Sequence, residues 1–495
     1  MSSNDIFNNF PSDWYSIPLG QLVKESNGII QTGPFGSQLH AEDYVLTGTP
    51  SIMPKNISVN GVIDTDIARI KASDLERLSR YQVKTGDIIY SRRGDVEKCA
   101  LISERENGWL CGTGCILIRF GNSDISPEFL HAYLSHPLVR AWIVRHAIGA
   151  TMPNLNTTIL SELPVLVPSK KTRNCIKENW TNLTKKILIN SKVNQTFEKM
   201  AQALFKSWFI DFEPVKAKIS ILKSGGSQEE VTLAAMTAIS GKNIDELAIL
   251  EREHPEQYAE LKATAELFPS AMQESELGNI PEGWKISAIQ DVAKIVKGKS
   301  YKSTELDCSK TALVTLKSFN RGGGYRLDGL KEYTGKYKPE QEVFAGDLII
   351  AYTDVTQAAD VIGKPAMVIS DTRYEHLVIS LDVAAVRPFN NSLKYYLYGV
   401  ARTEQFQKHT SSHSTGTTVL HLSKNAVPDY KFILANEDLV NIYSKHASSL
   451  FSKVNTTIEE NKFLSELRDT LLPKLISGEI TLPEVEEIAK EADYV

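Results

Sequence analysis

The sequence predicts a mixed strand-and-helix protein in which one domain occurs twice, each copy being followed by a long helix. Three observations predict this fold. A chain of 495 residues is too long for one ordinary core. Short motifs recur in the same order, and two segments without glycine carry the apolar spacing of a coiled coil.

The repeat has a period of about 260 to 270 residues, far longer than that of solenoid proteins. Each copy holds a Gly-Asp turn that leads into a β-branched run, which is typical of a turn followed by a strand. The recurring segments are 11–14 with 281–284, 83–89 with 343–349, and 149–164 with 416–428. Matched order and offset predict a duplicated domain.

Two long segments follow the repeated domains, one over about 172–209 and one from about 437. Their apolar positions fall alternately three and four apart, as in the a and d positions of a heptad. The first set is Trp180, Leu183, Ile187, Asn190, Asn194, Phe197, Ala201, Leu204 and Trp208. The second set is Val440, Tyr443, Ala447, Leu450, Val454, Thr457, Asn461, Leu464, Arg468, Leu471 and Leu475.

Either helix alone is more typical of an ordinary core helix than of a coiled coil. Together they can bury their narrow stripes against each other, and polar positions such as Asn194 and Asn461 can fix the register. If the domains lie at opposite ends, the helices must run antiparallel. We therefore expect a domain at 1–171, helices at 172–213 and 437–482, a partly helical connector at 214–280, a second domain at 281–436, and an acidic tail at 483–495.

Composition excludes several classes of protein. No apolar run approaches the roughly 20 residues that span a bilayer, and the amino terminus does not resemble a secretory signal, so we expect a cytoplasmic protein. The five cysteines are scattered and never spaced as CxxC, which argues against zinc and disulfides. The net charge of −5 does not favour nucleic-acid binding unless basic residues collect on one face.

Two segments within the long helical regions carry distinctive motifs: residues 197–212 (FEKMAQALFKSWFIDF) and residues 467–480 (LRDTLLPKLISGEI). They resemble the first spacer and the end of the second spacer in the specificity subunits of Type I restriction-modification systems. Residues 267–269 and 274–284 resemble the family's entry into the second target-recognition domain. The resemblance covers nearly the whole chain.

The resemblance implies an α/β (mixed α+β) fold: two tandem target-recognition domains separated by an antiparallel two-helix coiled-coil spacer, with pseudo-twofold symmetry. It implies that each domain reads one half of a split, asymmetric DNA site. It further implies two methyltransferase subunits, which use S-adenosylmethionine to methylate adenine, and restriction subunits that use ATP and Mg²⁺. No cofactor is expected on this chain.

Motifs for self-sufficient catalysis are missing from the sequence. Gly298-Lys299-Ser300 has Ala293 where a nucleotide-binding loop needs its first glycine. No Asn/Asp-Pro-Pro-Tyr/Phe segment of an amino-methyltransferase occurs. Cys111 and Cys115, together with His131, are candidate metal ligands, but the apolar residues that flank the cysteines favour buried strand cysteines.

DNA contacts are sought in loops that follow strands, because binding residues concentrate on loops held by a rigid frame. Arg92 and Arg93 are the leading candidates, since arginine can fork onto guanine or bind phosphate, although solvated surface arginines are an equal alternative. The further candidates are Ser91, Ser37, Gln38, Thr151 and Asn154 in the first domain, and Lys317, Asn320, Arg321, Thr353, Ser411, His413 and Thr415 in the second. Each of their segments is also compatible with a plain turn or flexible loop.

A competing hypothesis is a scaffold or adaptor protein that uses its helices to join other proteins and never reads DNA. Duplication and heptads alone do not exclude it. A self-sufficient nucleic-acid enzyme is a third possibility, which the missing catalytic motifs weaken.

Overall fold

A computed structural model describes residues 14–64, 66–149, 153–355, 359–417, 419–477 and 479. The predicted acidic tail at 483–495 and the candidate Thr151 lie outside these residues. The chain divides into two compact units. Unit 1 contains residues up to 192 and from 458 onward, and unit 2 contains residues 193–457.

Unit 1 is built on strands with short helices between them. Its strands are β1 (Tyr15–Pro18), β2 (Ile29–Thr32), β3 (Tyr44–Val45), β4 (Thr49–Ile52), β5 (Ile57–Ser58), β6 (Gly61–Val62), β7 (Ala68–Ile70), β8 (Ile88–Ser91), β9 (Cys99–Leu101), β10 (Leu110–Cys111), β11 (Cys115–Arg119) and β12 (Pro164–Val167). Its helices are α1 (Leu19–Glu25), α2 (Ala72–Arg77), α3 (Pro127–Leu134), α4 (Pro137–His146) and α5 (Thr157–Glu162). The long helix α6 (Lys170–Phe209) follows.

Unit 2 begins with helices and continues with strands. Its helices are α7 (Glu213–Lys223), α8 (Gln228–Ser240), α9 (Ile244–Glu253), α10 (Pro255–Leu267), α11 (Ile289–Val292), α12 (Leu393–Ala401) and α13 (Glu404–Ser412). Its strands are β13 (Met272–Ser275), β14 (Gly278–Pro281), β15 (Lys285–Ala288), β16 (Ala293–Lys297), β17 (Thr311–Val314), β18 (Lys331–Glu332), β19 (Glu342–Val343), β20 (Leu348–Ala351), β21 (Thr353–Asp354), β22 (Pro365–Met367), β23 (His376–Ile379), β24 (Val383–Pro388), β25 (Ser414–Thr415), β26 (Leu420–Leu422) and β27 (Lys431–Leu434). The second long helix, α14 (Glu437–Ser477), follows.

Both units contain the same four-stranded antiparallel sheet. Its strand order is β2-β11-β8-β9 in unit 1 and β16-β24-β20-β22 in unit 2. The strand after the Gly-Asp turn is buried on both faces, because Ile88 and Tyr90 enter one apolar cluster while Ile89 enters another. Leu348 and Ile349 divide in the same way between two clusters in unit 2. This accounts for the continuous apolar runs in the sequence.

The Gly-Asp turns are structural. Gly86 and Gly346 both adopt a positive φ, which a side chain would disfavour. Asp87 accepts a hydrogen bond from the Lys84 amide at 2.7 Å and is paired with Arg119. Its counterpart Asp347 accepts from the Phe344 amide at 2.8 Å and is paired with Arg387. The recurring Gly-Asp motif therefore closes a turn in each unit.

The two long helices pair with each other within each unit, as the heptads predicted, and they run antiparallel, as the family resemblance implied. In unit 1 the Arg468 guanidinium lies 4.9 Å from the centre of the Trp180 ring, and Asn190 donates to the side chain of Asn461 at 2.9 Å. In unit 2 the ring of Phe205 packs against Tyr443. The sequence suggested Asn194 and Asn461 as register-fixing residues; the partner of Asn461 is Asn190, one turn earlier.

The connector between α6 and the second repeat forms four helices followed by the hairpin of β13 and β14. The helices surround a small apolar cluster that includes Met236 and Leu247. The sequence predicted a partly helical connector, and in the structure its last two helices are separated at His254 and Pro255. The physical reason is that proline disfavours the helical conformation of the residue before it.

Within the described residues, none of the helices combines the length and apolarity that crossing a membrane requires.

Candidate nucleic-acid interface

The exit of the central strand carries the leading candidates in unit 1. After β8, the backbone of Arg93 pairs antiparallel with Asn154, which pairs in turn with Ile148. The Leu155 amide donates to the Arg92 carbonyl at 2.9 Å. We call the paired residues Arg93, Asn154 and Ile148 ribbon 1. The structure thus brings together residues that are about 60 apart in the sequence.

Arg92 lies beside the loop at residues 33–38. Its guanidinium carbon is 5.8 Å from the centre of the Phe35 ring, and Phe35 is about half exposed. The Nε atom of Arg92 and the Oδ1 atom of Asn154 are buried and lack a hydrogen-bond partner among the described residues. Buried polar atoms without a partner are costly, so the packing around Arg92 and Asn154 must offset that cost.

The remaining unit 1 candidates have different surroundings. Ser91 is fully buried, and its hydroxyl donates to the Arg93 carbonyl at 2.9 Å. Gln38 closes its loop, because its Oε1 accepts from the Phe35 amide at 3.2 Å and from the Tyr81 hydroxyl at 2.9 Å. Ser37 is exposed, as is Arg93. Ser91 and Gln38 therefore shape the surface on which Ser37 and the arginines lie.

Unit 2 repeats this frame with other side chains. Thr353 on β21 pairs with His421 on β26, and His421 pairs with Thr415 on β25; we call these paired strands ribbon 2. The Leu422 amide donates to the Tyr352 carbonyl at 2.8 Å, the counterpart of the Leu155 bond in unit 1. Tyr352 and Thr353 therefore stand where unit 1 has Arg92 and Arg93.

Two of these side chains turn inward. Thr353 is buried and donates to the carboxylate of Asp382 at 2.8 Å. Asp354 is buried, and its carboxylate accepts from the amides of Val361 and Ile362. Thr415 and His421 are exposed. The outward surface of ribbon 2 therefore carries a hydroxyl and an imidazole in place of guanidinium groups.

The glycine-rich segment at 317–324 is held by its neighbours. Arg402 donates to the Gly322 carbonyl at 2.9 Å, and Arg321 lies 3.7 Å from Asp360. The Asn320 amide donates to the Gly324 carbonyl at 2.9 Å. Lys317, Asn320 and Arg321 are all exposed, so this turn presents basic and amide groups on an ordered frame.

The polar run at residues 409–416 is not a flexible loop. Helix α13 continues to Ser412, and Ser414–Thr415 forms β25. The helix begins at the Thr403 cap, whose side chain accepts from the Phe406 amide, and its buried face holds it in place. Ser411 is therefore an exposed helical residue, and His413 lies at the helix end.

The described part of the chain contains no group of three or more His, Cys, Asp or Glu side chains that could hold a metal ion. Cys111 and Cys115 are buried in the core, and burial raises the pKa of the Cys111 thiol to about 12. His131 accepts a hydrogen bond at Nδ1 from the Trp180 indole at 3.0 Å. Burial, with a smaller contribution from Arg468, lowers the pKa of His131 to about 4.

The lowered pKa of His131 predicts an acid-sensitive fold. The unfolded chain takes up a proton near pH 6.5 and the folded chain only near 4, so stability is complete above about 6.5 and falls as the pH is lowered towards 4. The loss approaches roughly 3 kcal/mol. Thermal unfolding of the full chain across this range should show it, and His131→Gln, which keeps an acceptor for Trp180, should flatten the profile. An unchanged profile in this variant, like that of the exposed control His254→Gln, would contradict the assignment.

The sequence reasoning did not select Phe35 or His421 as site residues. The sequence held a signal for both, since Phe35 lies two residues before the candidate Ser37 and His421 lies within the recurring segment 416–428. Their placement beside Arg92 and Thr353 depends on contacts between distant segments.

Comparisons with known proteins agree on one family. Residues 11–199 match the family model described as the Type I restriction modification DNA specificity domain. The chain is 28% identical over 483 residues to the Type I restriction enzyme HindI specificity subunit of Haemophilus influenzae, covering 95% of this chain and 100% of the relative. It is 23% identical to the MjaIX specificity subunit of Methanocaldococcus jannaschii, covering 72% of this chain and 70% of the relative. A solved S subunit from M. genitalium aligns with a TM-score of 0.41 and 14% identity, covering 94% of this chain and 96% of that one.

Proposed function

This chain belongs to the specificity subunits of Type I restriction-modification systems, and from that premise we propose that ribbons 1 and 2 read the two halves of a split, asymmetric DNA site. The observation that carries the proposal is the pair of ribbons, which share one backbone frame and differ in side chains. A common frame would place both surfaces alike against DNA. Different side chains would then read different bases.

Ribbon 1 is the stronger candidate for guanine recognition. Arg92 and Arg93 follow the same strand, and an arginine can donate two parallel hydrogen bonds to guanine O6 and N7. The exposed Phe35 ring supports one face of Arg92 and adds an apolar surface that could meet a thymine methyl group.

Ribbon 2 would read its half-site with smaller and less charged groups. Thr415 and His421 are exposed side by side, and the turn that carries Lys317, Asn320 and Arg321 adds basic and amide groups. The net charge of −5 for the whole chain makes a general electrostatic attraction a poor explanation of DNA affinity. Binding would instead depend on these local surfaces.

The chain is a non-catalytic subunit, and its catalytic partners are part of the proposal. We infer that it directs two methyltransferase subunits, which use S-adenosylmethionine, and restriction subunits, which use ATP and Mg²⁺. Adenine methylation and DNA cleavage would take place on those partners. Such a complex would act in the cytoplasm, where cellular DNA is accessible.

The experiment is to reconstitute the chain with a cognate methyltransferase subunit and map methylated adenines across a genome. We expect one split motif with a fixed gap, and no motif from the methyltransferase subunit alone. Random methylation, or none, would favour the scaffold hypothesis. If the chain alone methylated or cleaved DNA in the presence of Mg²⁺, ATP and S-adenosylmethionine, the proposal that catalysis takes place on partner subunits would be wrong.

A further inference from the structure

Each unit carries a histidine in the same unusual geometry at the end of the helix that precedes its ribbon. His146 ends α4, and His413 follows the last residue of α13. The His146 ring stacks on Trp142 with centres 3.9 Å apart, and the His413 ring stacks on His409 with centres 4.1 Å apart. The histidines occupy corresponding places in the repeat, each two residues before the ribbon residue Ile148 or Thr415.

The hydrogen bonds are also the same in the two units. Nδ1 of His146 lies 2.8 Å from the carbonyl oxygen of Trp142, and Nδ1 of His413 lies 2.8 Å from that of His409. The Ser412 hydroxyl is a further neighbour of His413 Nδ1, at 3.2 Å. Because a carbonyl oxygen only accepts, Nδ1 carries the proton in both rings. Both residues are exposed, which leaves Nε2 as the atom available to a ligand.

The ribbons differ at nearly every outward position, yet this histidine is present in both. Unit 1 has Asn154 and Ile148 where unit 2 has His421 and Thr415, and the counterpart of the exposed Arg93 is the buried Thr353. Side chains that read bases should differ between two unequal half-sites, whereas contacts to the DNA backbone carry no sequence information and can be shared. Because the histidine is present beside both ribbons although the ribbons differ, it is best explained by a contact to the DNA backbone that both units make.

We propose that His146 and His413 each donate a hydrogen bond from Nε2 to a DNA phosphate oxygen and so fix the register of their ribbons. This inference rests on the proposed function. Since Nδ1 is already committed to a carbonyl, Nε2 donates only in the doubly protonated imidazolium, whose charge also attracts phosphate. The titratable and charged groups on the surrounding helices and ribbons are Arg93, Arg140, Arg145, Asp354, Glu404, Lys408, His409 and His421.

A helix end offers a second explanation, because a histidine there can satisfy a terminal carbonyl and interact with the helix dipole. That role needs only Nδ1 and predicts an effect on stability but none on DNA binding. The salt dependence of DNA affinity separates the two roles. Each phosphate contact contributes about 0.9 to the slope of log affinity against log salt concentration.

The test measures that slope for the chain in complex with its methyltransferase subunits. The probes are one duplex that carries the mapped motif and one scrambled duplex, at mildly acidic pH. We expect His146→Gln and His413→Gln each to lower the slope by about 0.9 on both duplexes. We expect the methylated motif to remain unchanged, and His146→Lys and His413→Lys to restore the slope. The exposed connector histidine provides the matched control, His254→Gln.

Two results would overturn the inference. If the glutamine variants kept the salt dependence of DNA affinity but unfolded at a lower temperature, both histidines would act only as helix caps. A motif that changes at one base would make the affected histidine a base reader. Failure of the wild-type complex to distinguish the two duplexes would instead count against the proposed sequence recognition, which makes the two failures distinguishable.

Discussion

Replacing Arg92 and Arg93 by glutamine is expected to weaken DNA binding by roughly 1–3 kcal/mol for each arginine that contacts a base. The sequence specificity at the half-site proposed for unit 1 is expected to decrease as well. Arg92 rests against Phe35 with its Nε unpaired, and Arg93 is exposed on ribbon 1. Loss of either guanidinium would leave the corresponding base edge without its donors. The measurements are affinity for the mapped duplex and the methylated motif of the reconstituted complex.

The control for these variants is Arg252→Gln on α9, where the side chain is about three-quarters exposed. We expect neither DNA affinity nor the motif to change in this control. Recruitment of the methyltransferase subunit should remain intact in both ribbon variants, because the arginines lie on the ribbon and its entry. Loss of recruitment with unchanged DNA affinity would show that these arginines are not readers.

Replacing Phe209 by alanine is expected to destabilise unit 2 by about 3–5 kcal/mol, the range found when a buried phenylalanine is truncated. The Phe209 ring is fully buried and lies 4.8 Å from the ring of Tyr396, 5.4 Å from Tyr443 and 5.8 Å from Trp284. These partners belong to α12, α14 and the segment before β15. The end of α6 thus joins the core of unit 2.

Hydrogen exchange of the full chain would locate this effect. We expect the amides of β20 and β24 to exchange faster in Phe209→Ala, and recognition of the unit 2 half-site to fail first on warming. Met200→Ala is the matched control, since Met200 lies on the same helix and is about half exposed. Equal protection of β20 and β24 in the two variants would contradict the assignment of Phe209 to the core.

The repeat was predictable because residues that are close in sequence determine the local structure of each copy. Gly86-Asp87 and Gly346-Asp347 specify a turn through a positive φ and a side chain that bonds three residues back. The apolar run after each turn specifies a strand buried on both faces. The heptad positions likewise predicted that the two long helices pair with each other, as they do within each unit.

The partners within the candidate interface could not be predicted in this way. Arg93 lies opposite Asn154, and Asn461 bonds to Asn190 instead of the equivalent Asn194. The polar run at 409–416 suggested a loop because serine, threonine and histidine favour loops over helices. A capped start and a buried face at Phe406 and Thr410 made it helical. In this segment, tertiary packing therefore outweighed the local preference of the residues for a loop.

By itself, the sequence determined the duplicated fold, the long helices and the strands that carry the candidate residues, since these follow from periodicity and turn chemistry over a few residues. Only the tertiary structure decided that Phe35 supports Arg92 and that Thr353 turns inward. The physical reason is that such contacts join segments far apart in the chain. Their formation depends on how whole sheets and helices pack, which no local pattern encodes.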